Sequence, residues 1–319
     1  MRIQAYSEKD KTRWDDFILT SKNGTFLFFR DYMEYHSDRF KDHSLIVEDE
    51  KGAVVSVFPA NLREDILESH GGLTYGGFVL DMSMTMPMML DIFSGVLEYL
   101  REKGLSRVIY KTIPHIYHFL PAEEDRYALY LYDAKLIRRD VLSVLDLDRI
   151  RPFQQRRQRG IKKAKKNGIE CLKSENFQMF WIILSNNLEK KYKVKPVHNS
   201  DEMALLRNRF KDNIKFFASF KDNAMLAGLV VYESRNVAHI QYAACSEEGK
   251  KSGALDILYD YIINDIYRGR KKYIDFGIST EKQGSYLNAG LIEQKEGFGA
   301  RTVVHDFYSL ELSQDGGRL

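Results

Sequence analysis

The sequence predicts an α/β protein with a mixed α+β sheet, built as two similar domains in tandem. Three observations predict it. Amphipathic helices and short strands alternate along the whole chain. One helix–strand segment occurs twice: LDIFSGVLEYLREKGLSRVIYKTI (90–113) aligns without a gap with LDILYDYIINDIYRGRKKYIDFGI (255–278), and the order of the surrounding elements repeats with it. The 319 residues suit one large domain or two of ordinary size, and a composition 44% hydrophobic and 13% aromatic can bury a sizeable core. The division falls at 1–148 and 149–319, with the final strand free to return to the first half.

The elements follow in order. Ser7 and Asp10 form an S-x-x-D capping box before a helix with Trp14, Phe17 and Ile18 inward, and Asn23-Gly24 stops it. A short helix is expected around 31–40, then strands at 44–47 and 53–59 about a turn. Residues 69–78, SHGGLTYGGF, form a glycine-dense loop. Met89, Phe93, Val96, Leu97 and Leu100 share one face of a helix over 88–103, which Gly104 ends. Strands are read at 107–113, 127–132 and 140–145. The second half opens with a basic helix at 151–168. It continues with helices at 177–188 and 203–209, a hairpin over 214–220 and 225–233, and a strand at 237–244. A loop around 249–254 precedes a helix over 254–267. A strand at 273–276 then enters a glycine-rich site loop containing a short helix. A strand at 302–312 closes the fold, and 313–319 reads as a frayed tail.

Composition excludes several classes. A net charge of +3 gives no global demand for nucleic acid, so any basic surface is local. Arg156, Arg157, Arg159, Lys162, Lys163, Lys165 and Lys166 supply one. Two cysteines make neither a disulfide framework nor a metal cluster, so no metal is expected and a reducing cytoplasm is. No apolar run reaches the ~18 residues of a membrane span. The G-x-S-x-G, H-E-x-x-H, C-x-x-C and Walker patterns are all missing from the sequence.

One stretch carries a resemblance. Tyr273-Ile-Asp-Phe-Gly277, Gly290-Leu291 and Lys295-Glu-Gly-Phe-Gly299 are similar to the C-terminal signature of FemABX-type acyltransferases, and Arg157–Gly168 resembles the basic helix opening that family's second domain. The sequence departs at Ile278, where the family has a glycine, and at Gln294, where it has an aromatic residue. The resemblance implies two GNAT (Gcn5-related N-acetyltransferase) fold domains and transfer of an acyl or aminoacyl group to an amine. The donor would be acyl-CoA or aminoacyl-tRNA. The acceptor would be an amine-bearing small molecule or a cell-envelope precursor, as in peptidoglycan biosynthesis. The basic helix would meet tRNA. The alternative is a catalytically silent protein that binds nucleic acid or an anionic glycan through the helix at 151–168.

Candidate residues follow from the chemistry of acyl transfer, which needs a held carbonyl, a donor for the developing oxyanion and a path for the amine proton. The resemblance places Lys295 at the reacting carbonyl. Asp275 ends a strand, where it either takes the proton or caps the next turn. His70, in the first glycine loop, is a base near neutral pH or a structural histidine. The GNAT likeness implies a donor arm along Gln241 and Tyr242. Lys250, Lys251, Ser252 and Gly253, before a helix start, suit a phosphate or merely cap that helix. The resemblance implies an acceptor side at Arg30 and at the loop holding Tyr75, and Lys111, at the strand end of the first repeat, is a further acceptor-side candidate.

Overall fold

The computed structural model describes residues 1–312, without the side chains of residues 191 and 192; the tail expected at 313–319 lies outside the described residues. The chain divides into two compact units. The first comprises Met1–Asp140, Thr280–Tyr286 and the chain from Val304; the second comprises Val141–Ser279 and Leu287–Val303. The division is interleaved rather than a single cut.

In the first unit, an antiparallel sheet joins Arg2–Ala5, Leu45–Glu48, Val54–Phe58 and Val79–Leu80 in that order. A second set of strands centres on Arg107–Lys111, which pairs parallel with Ile66–Glu68 and antiparallel with the final strand, Phe307 facing Lys111. The helix Met86–Glu102 lays Met89, Ile92, Phe93, Val96, Leu97 and Leu100 into this unit's core, the 3.6-residue stripe the sequence shows.

The second unit carries a mixed sheet. Glu170–Lys173, Ile214–Lys221, Ala224–Glu233 and Val237–Cys245 run antiparallel to their neighbours; Val237–Cys245 then pairs parallel with Tyr273–Ile278, and that strand antiparallel with the end of Lys135–Asp146. The helices Gln155–Lys166 and Ala254–Tyr261 cover the core around Ile274, Phe276 and Phe298. Both copies of the repeated segment fold as a helix followed by a strand.

Four expectations are corrected. Residues 127–132 are not a strand: Glu124–Leu131 is a helix. Asp125, Ala128 and Leu129 are its buried stripe at helical spacing, and the acids of its first turn suit a helix N-terminus better than the aromatics suit a sheet. The helix expected over 31–40 is one short turn, Arg30–Met33, continued by a 3₁₀ turn at Glu34–His36. The helix expected over 254–267 is regular only to Tyr261 and becomes a π turn over Ile262–Tyr267. The loop expected at 249–254 is mostly helix, Glu247–Ser252, capped by Ser246, whose hydroxyl accepts from Gly249 N at 3.0 Å.

Candidate active site

The site in the second unit is built where two parallel strands part. Val237–Cys245 and Tyr273–Ile278 pair at Val237↔Tyr273, Ala238↔Ile274 and His239↔Asp275, and the pairing ends there. Two local irregularities separate the strands. On one, the ladder with Ala224–Glu233 slips between Val230 and Val231, leaving Gln241 bulged and unpaired. On the other, Gly277 takes φ +75°, a conformation that favours glycine, and turns the chain away. Past His239 the 237–245 strand thus loses its parallel partner and the two strands diverge into a gap in the ladder, and Ala243 is exposed in the middle of a sheet.

A carboxylate–imidazole pair sits at the fork. His239 and Asp275 sit side by side in register, so their side chains leave the same face of the sheet. His239 Nδ1 lies 3.0 Å from Asp275 Oδ2, while Asp275 Oδ1 accepts from Gly277 N at 2.7 Å. Asp275 is 1% exposed. A buried carboxylate facing Nδ1 holds the proton there, which leaves Nε2 as an acceptor. Trp181 and Tyr242 pack ring against ring at 5.3 Å, and Tyr242 Oη meets His198 Nδ1 at 2.5 Å. Burial pushes the Tyr242 hydroxyl up to about 12.

Lys295 reaches this fork from the helix Ala289–Glu296, whose Asn288 cap accepts from Leu291 N. Its ammonium donates to Gly277 O at 2.9 Å, Ile278 O at 2.7 Å and Ser279 Oγ at 3.1 Å. These are all the donors a lysine has. It therefore holds the turn after Asp275 in shape, rather than presenting a free N–H toward the gap. Burial lowers it to about 8, with Asp275 opposing. The Gly297-Phe298-Gly299 motif anchors that helix: Phe298 is fully buried against Tyr259, Phe276 and Phe153, and Gly297 O accepts from Gln154 N.

The donor-phosphate candidates are placed differently from the expectation. Lys250 is exposed and paired with Glu247 at 2.8 Å, and Lys251 is exposed beside it. Ser252 Oγ donates back to Glu248 O and Gly249 O. Gly253, at φ +82°, lies against the basic helix so closely that a Cβ there would overlap Gly160 O. The glycine serves helix packing.

The candidates of the first unit are buried among protein partners. Arg30 Nε meets Glu34 at 2.9 Å and Nη1 meets Asp42 at 3.1 Å, with the guanidinium 3.6 Å from the Tyr6 ring centre. Tyr75 donates to Thr25 Oγ1 at 3.0 Å and packs on Phe28 and Tyr117. Lys111 donates to His70 O and Leu73 O at 2.7 and 2.6 Å, and burial lowers it to about 7. His70 takes φ +53° and stacks on His36, and burial holds its imidazole well below the usual histidine range. These four residues knit the 69–78 loop and the segment around Arg30 into the core.

Residues 153–285 match the family model of the acetyltransferase (GNAT) domain. This chain carries a GNAT acyltransferase domain. No curated protein matches its sequence. Among solved structures it is similar to FemX, at 12% identity over 96% of this chain and 97% of that one, with a TM-score of 0.67. It is similar to the C-terminal domain (DUF2156) of a lysylphosphatidylglycerol synthetase from Agrobacterium fabrum, at 11% identity over 96% and 93%, with a TM-score of 0.61. A tandem GNAT protein from the clavulanic acid biosynthesis pathway aligns over 99% of both chains at 11% identity and a TM-score of 0.53. At such identities the likeness shows the fold, and the fold is the FemX-like tandem GNAT architecture.

The GNAT domain's fork fits an extended acyl arm. Backbone N–H and C=O groups along the open edge of the 237–245 strand can pair with an amide-bearing chain as a further strand would. Gln241 Oε1 is buried at the bulge with no hydrogen-bond partner among the described residues, an acceptor awaiting a donor. The fit stops at 249–254, where Lys250 and the Ser252 hydroxyl already have local partners. His239 is the residue that sequence reading missed. It lies 36 positions before Asp275, and only the parallel register joins them.

Proposed function

We propose that the protein is an N-acyltransferase whose general base is His239, oriented by Asp275. The observation that carries this reading is the fork: two parallel strands part directly beyond a buried carboxylate–imidazole pair. An activated acyl or aminoacyl ester lies along the edge past His239, its carbonyl oxygen meeting backbone N–H groups of the strand. An ammonium acceptor loses a proton to Nε2, the amine attacks the carbonyl carbon, and the tetrahedral intermediate collapses with cleavage of the C–S or C–O bond as its second N–H proton passes to the departing sulfur or oxygen. Asp275 stabilises the imidazolium so formed. Lys295 is a positioning residue, keeping Gly277–Ser279 in the turn that opens the fork. Acyl-CoA supplies a thioester when it is the donor; aminoacyl-tRNA would supply an ester at the same place. The names of two structural relatives, FemX and a lysylphosphatidylglycerol synthetase domain, support an acceptor from the cell envelope. Two free cysteines, Cys171 and Cys245, whose thiols burial pushes up to about 12, suit a cytoplasmic site of action.

The test is transfer from a panel of acyl-CoAs and charged tRNAs to amine acceptors, followed by product mass. His239→Gln is expected to lower kcat roughly a hundredfold to ten-thousandfold with KM for the donor little changed. Asp275→Asn is expected to follow it. A His239→Gln protein with full turnover would reject the assignment.

A further inference from the structure

A second concave site lies in the same unit, away from the fork. It is a cavity of about 500 Å³ between the basic helix and the π turn at Ile262–Tyr267. Its floor is apolar: Ile150, Pro152, Phe153 and Ile161. Phe153 is held edge-on against the buried Phe298 at 5.3 Å, so the floor is fixed. Four cations line it, Arg151, Lys162, Lys165 and Arg268, against one carboxylate, Asp260. Asp260 accepts from Asn264 Nδ2 at 2.8 Å and lies 3.7 Å from Lys165. That leaves Arg151, Lys162 and Arg268 with no ion pair among the described residues. Cations converging on a concave, partly apolar wall focus positive potential into it. The π turn adds to this. Such turns are rare and concentrate at functional sites, and this one bridges the positions of Asn264 and Arg268 at the rim.

We infer that this cavity binds a phosphate ester of nucleotide size, its anion on Lys162, Arg151 and Arg268 and its organic part on Phe153 and Ile150. The volume matches a small ligand. A nucleic-acid backbone would call for cations along an open ridge, whereas these surround an apolar floor. A long acyl chain would need an apolar exit, whereas the rim carries Gln158, Asn264 and arginines. The site shares no lining residue with the fork: His239, Asp275 and Lys295 are not part of it.

The test is calorimetric titration of the full chain with AMP, inorganic phosphate, short-chain phosphatidic acid and a single-stranded RNA oligomer. AMP or the phosphatidic acid is expected to bind at least tenfold more tightly than inorganic phosphate, and the two arms tell nucleotide from lipid headgroup. The double variant Lys162→Glu/Arg268→Glu, whose residues are both exposed, is expected to lose at least tenfold in that affinity while keeping its melting temperature. Equal affinity for inorganic phosphate, binding of the RNA alone, or unchanged affinity in the double variant would each overturn the assignment. The outcome is independent of the active-site reading, because His239→Gln is expected to bind the same phosphate ester unchanged.

Discussion

Asp275 shows how one buried carboxylate serves two ends. One oxygen takes Gly277 N and the other faces His239, so the same group shapes the turn and aims the imidazole. Lys295 completes the arrangement by satisfying the carbonyls the turn leaves over. The first unit contains a parallel case in Lys111, buried with its ammonium on two backbone carbonyls. Burial lowers Lys111 to about 7, with Glu68 opposing. An unfolded lysine titrates near 10.4. Between about pH 7 and 10 the unfolded chain thus holds a proton that the folded chain has lost, and stability rises with pH across that window. Urea titrations at pH 7, 8 and 9 are expected to show the wild type gaining up to about 1.4 kcal/mol per pH unit over Lys111→Met. Parallel lines for the two proteins would exclude the effect.

At the scale of elements, the basic helix Gln155–Lys166 is two objects in one. Arg157 faces inward with Ile161 and Ala164 and meets Asp256 at 2.6 Å, on the helix that begins at Ala254. Arg159, two positions on, is exposed and without an ion pair among the described residues. Removing one partner of a buried pair strands the other, so Arg157→Ala is expected to cost about 3 kcal/mol. Arg159→Ala is expected to stay within about 0.5 kcal/mol. Thermal unfolding of both variants checks the contrast, and equal losses would mean that the helix carries its charges as one solvated face. The close crossing at Gly160 and Gly253 fits the same account, since a side chain at either place would push the helices apart.

For the whole molecule, the units are not consecutive pieces of chain. The first unit depends on the final strand: Phe307 pairs with Lys111 and Glu311 with Arg107, and Leu310 and Leu312 enter its core. Asp306, 1% exposed, accepts from Arg126 at 2.9 Å and from Arg139 at 2.6 Å. A fragment of residues 1–148 keeps both arginines, loses that acid and leaves the 107–111 strand without its antiparallel neighbour. It is expected to lack a cooperative unfolding transition and dispersed amide resonances. A fragment that folded cooperatively would show that the final strand is dispensable.

The sequence by itself determined the element pattern of most of the chain. Apolar spacing placed a helix at 88–103, observed at 86–102, and the hairpin at 214–233; the repeat pointed to two related halves, and the 273–299 motif to Asp275 and Lys295. It misread 124–131, where aromatic residues with strand propensity are overruled by a buried helical stripe. It left 249–253 open between a phosphate cradle and a helix cap, because a glycine needed for close packing looks the same in sequence as one needed for a phosphate. Only the tertiary structure decided the rest. It brought His239 beside Asp275, assigned Lys295's donors to the turn, and closed the first unit with the last strand. The physical reason is common to all three. Each depends on which elements pack side by side, and that packing joins residues far apart in the chain without leaving a local pattern behind.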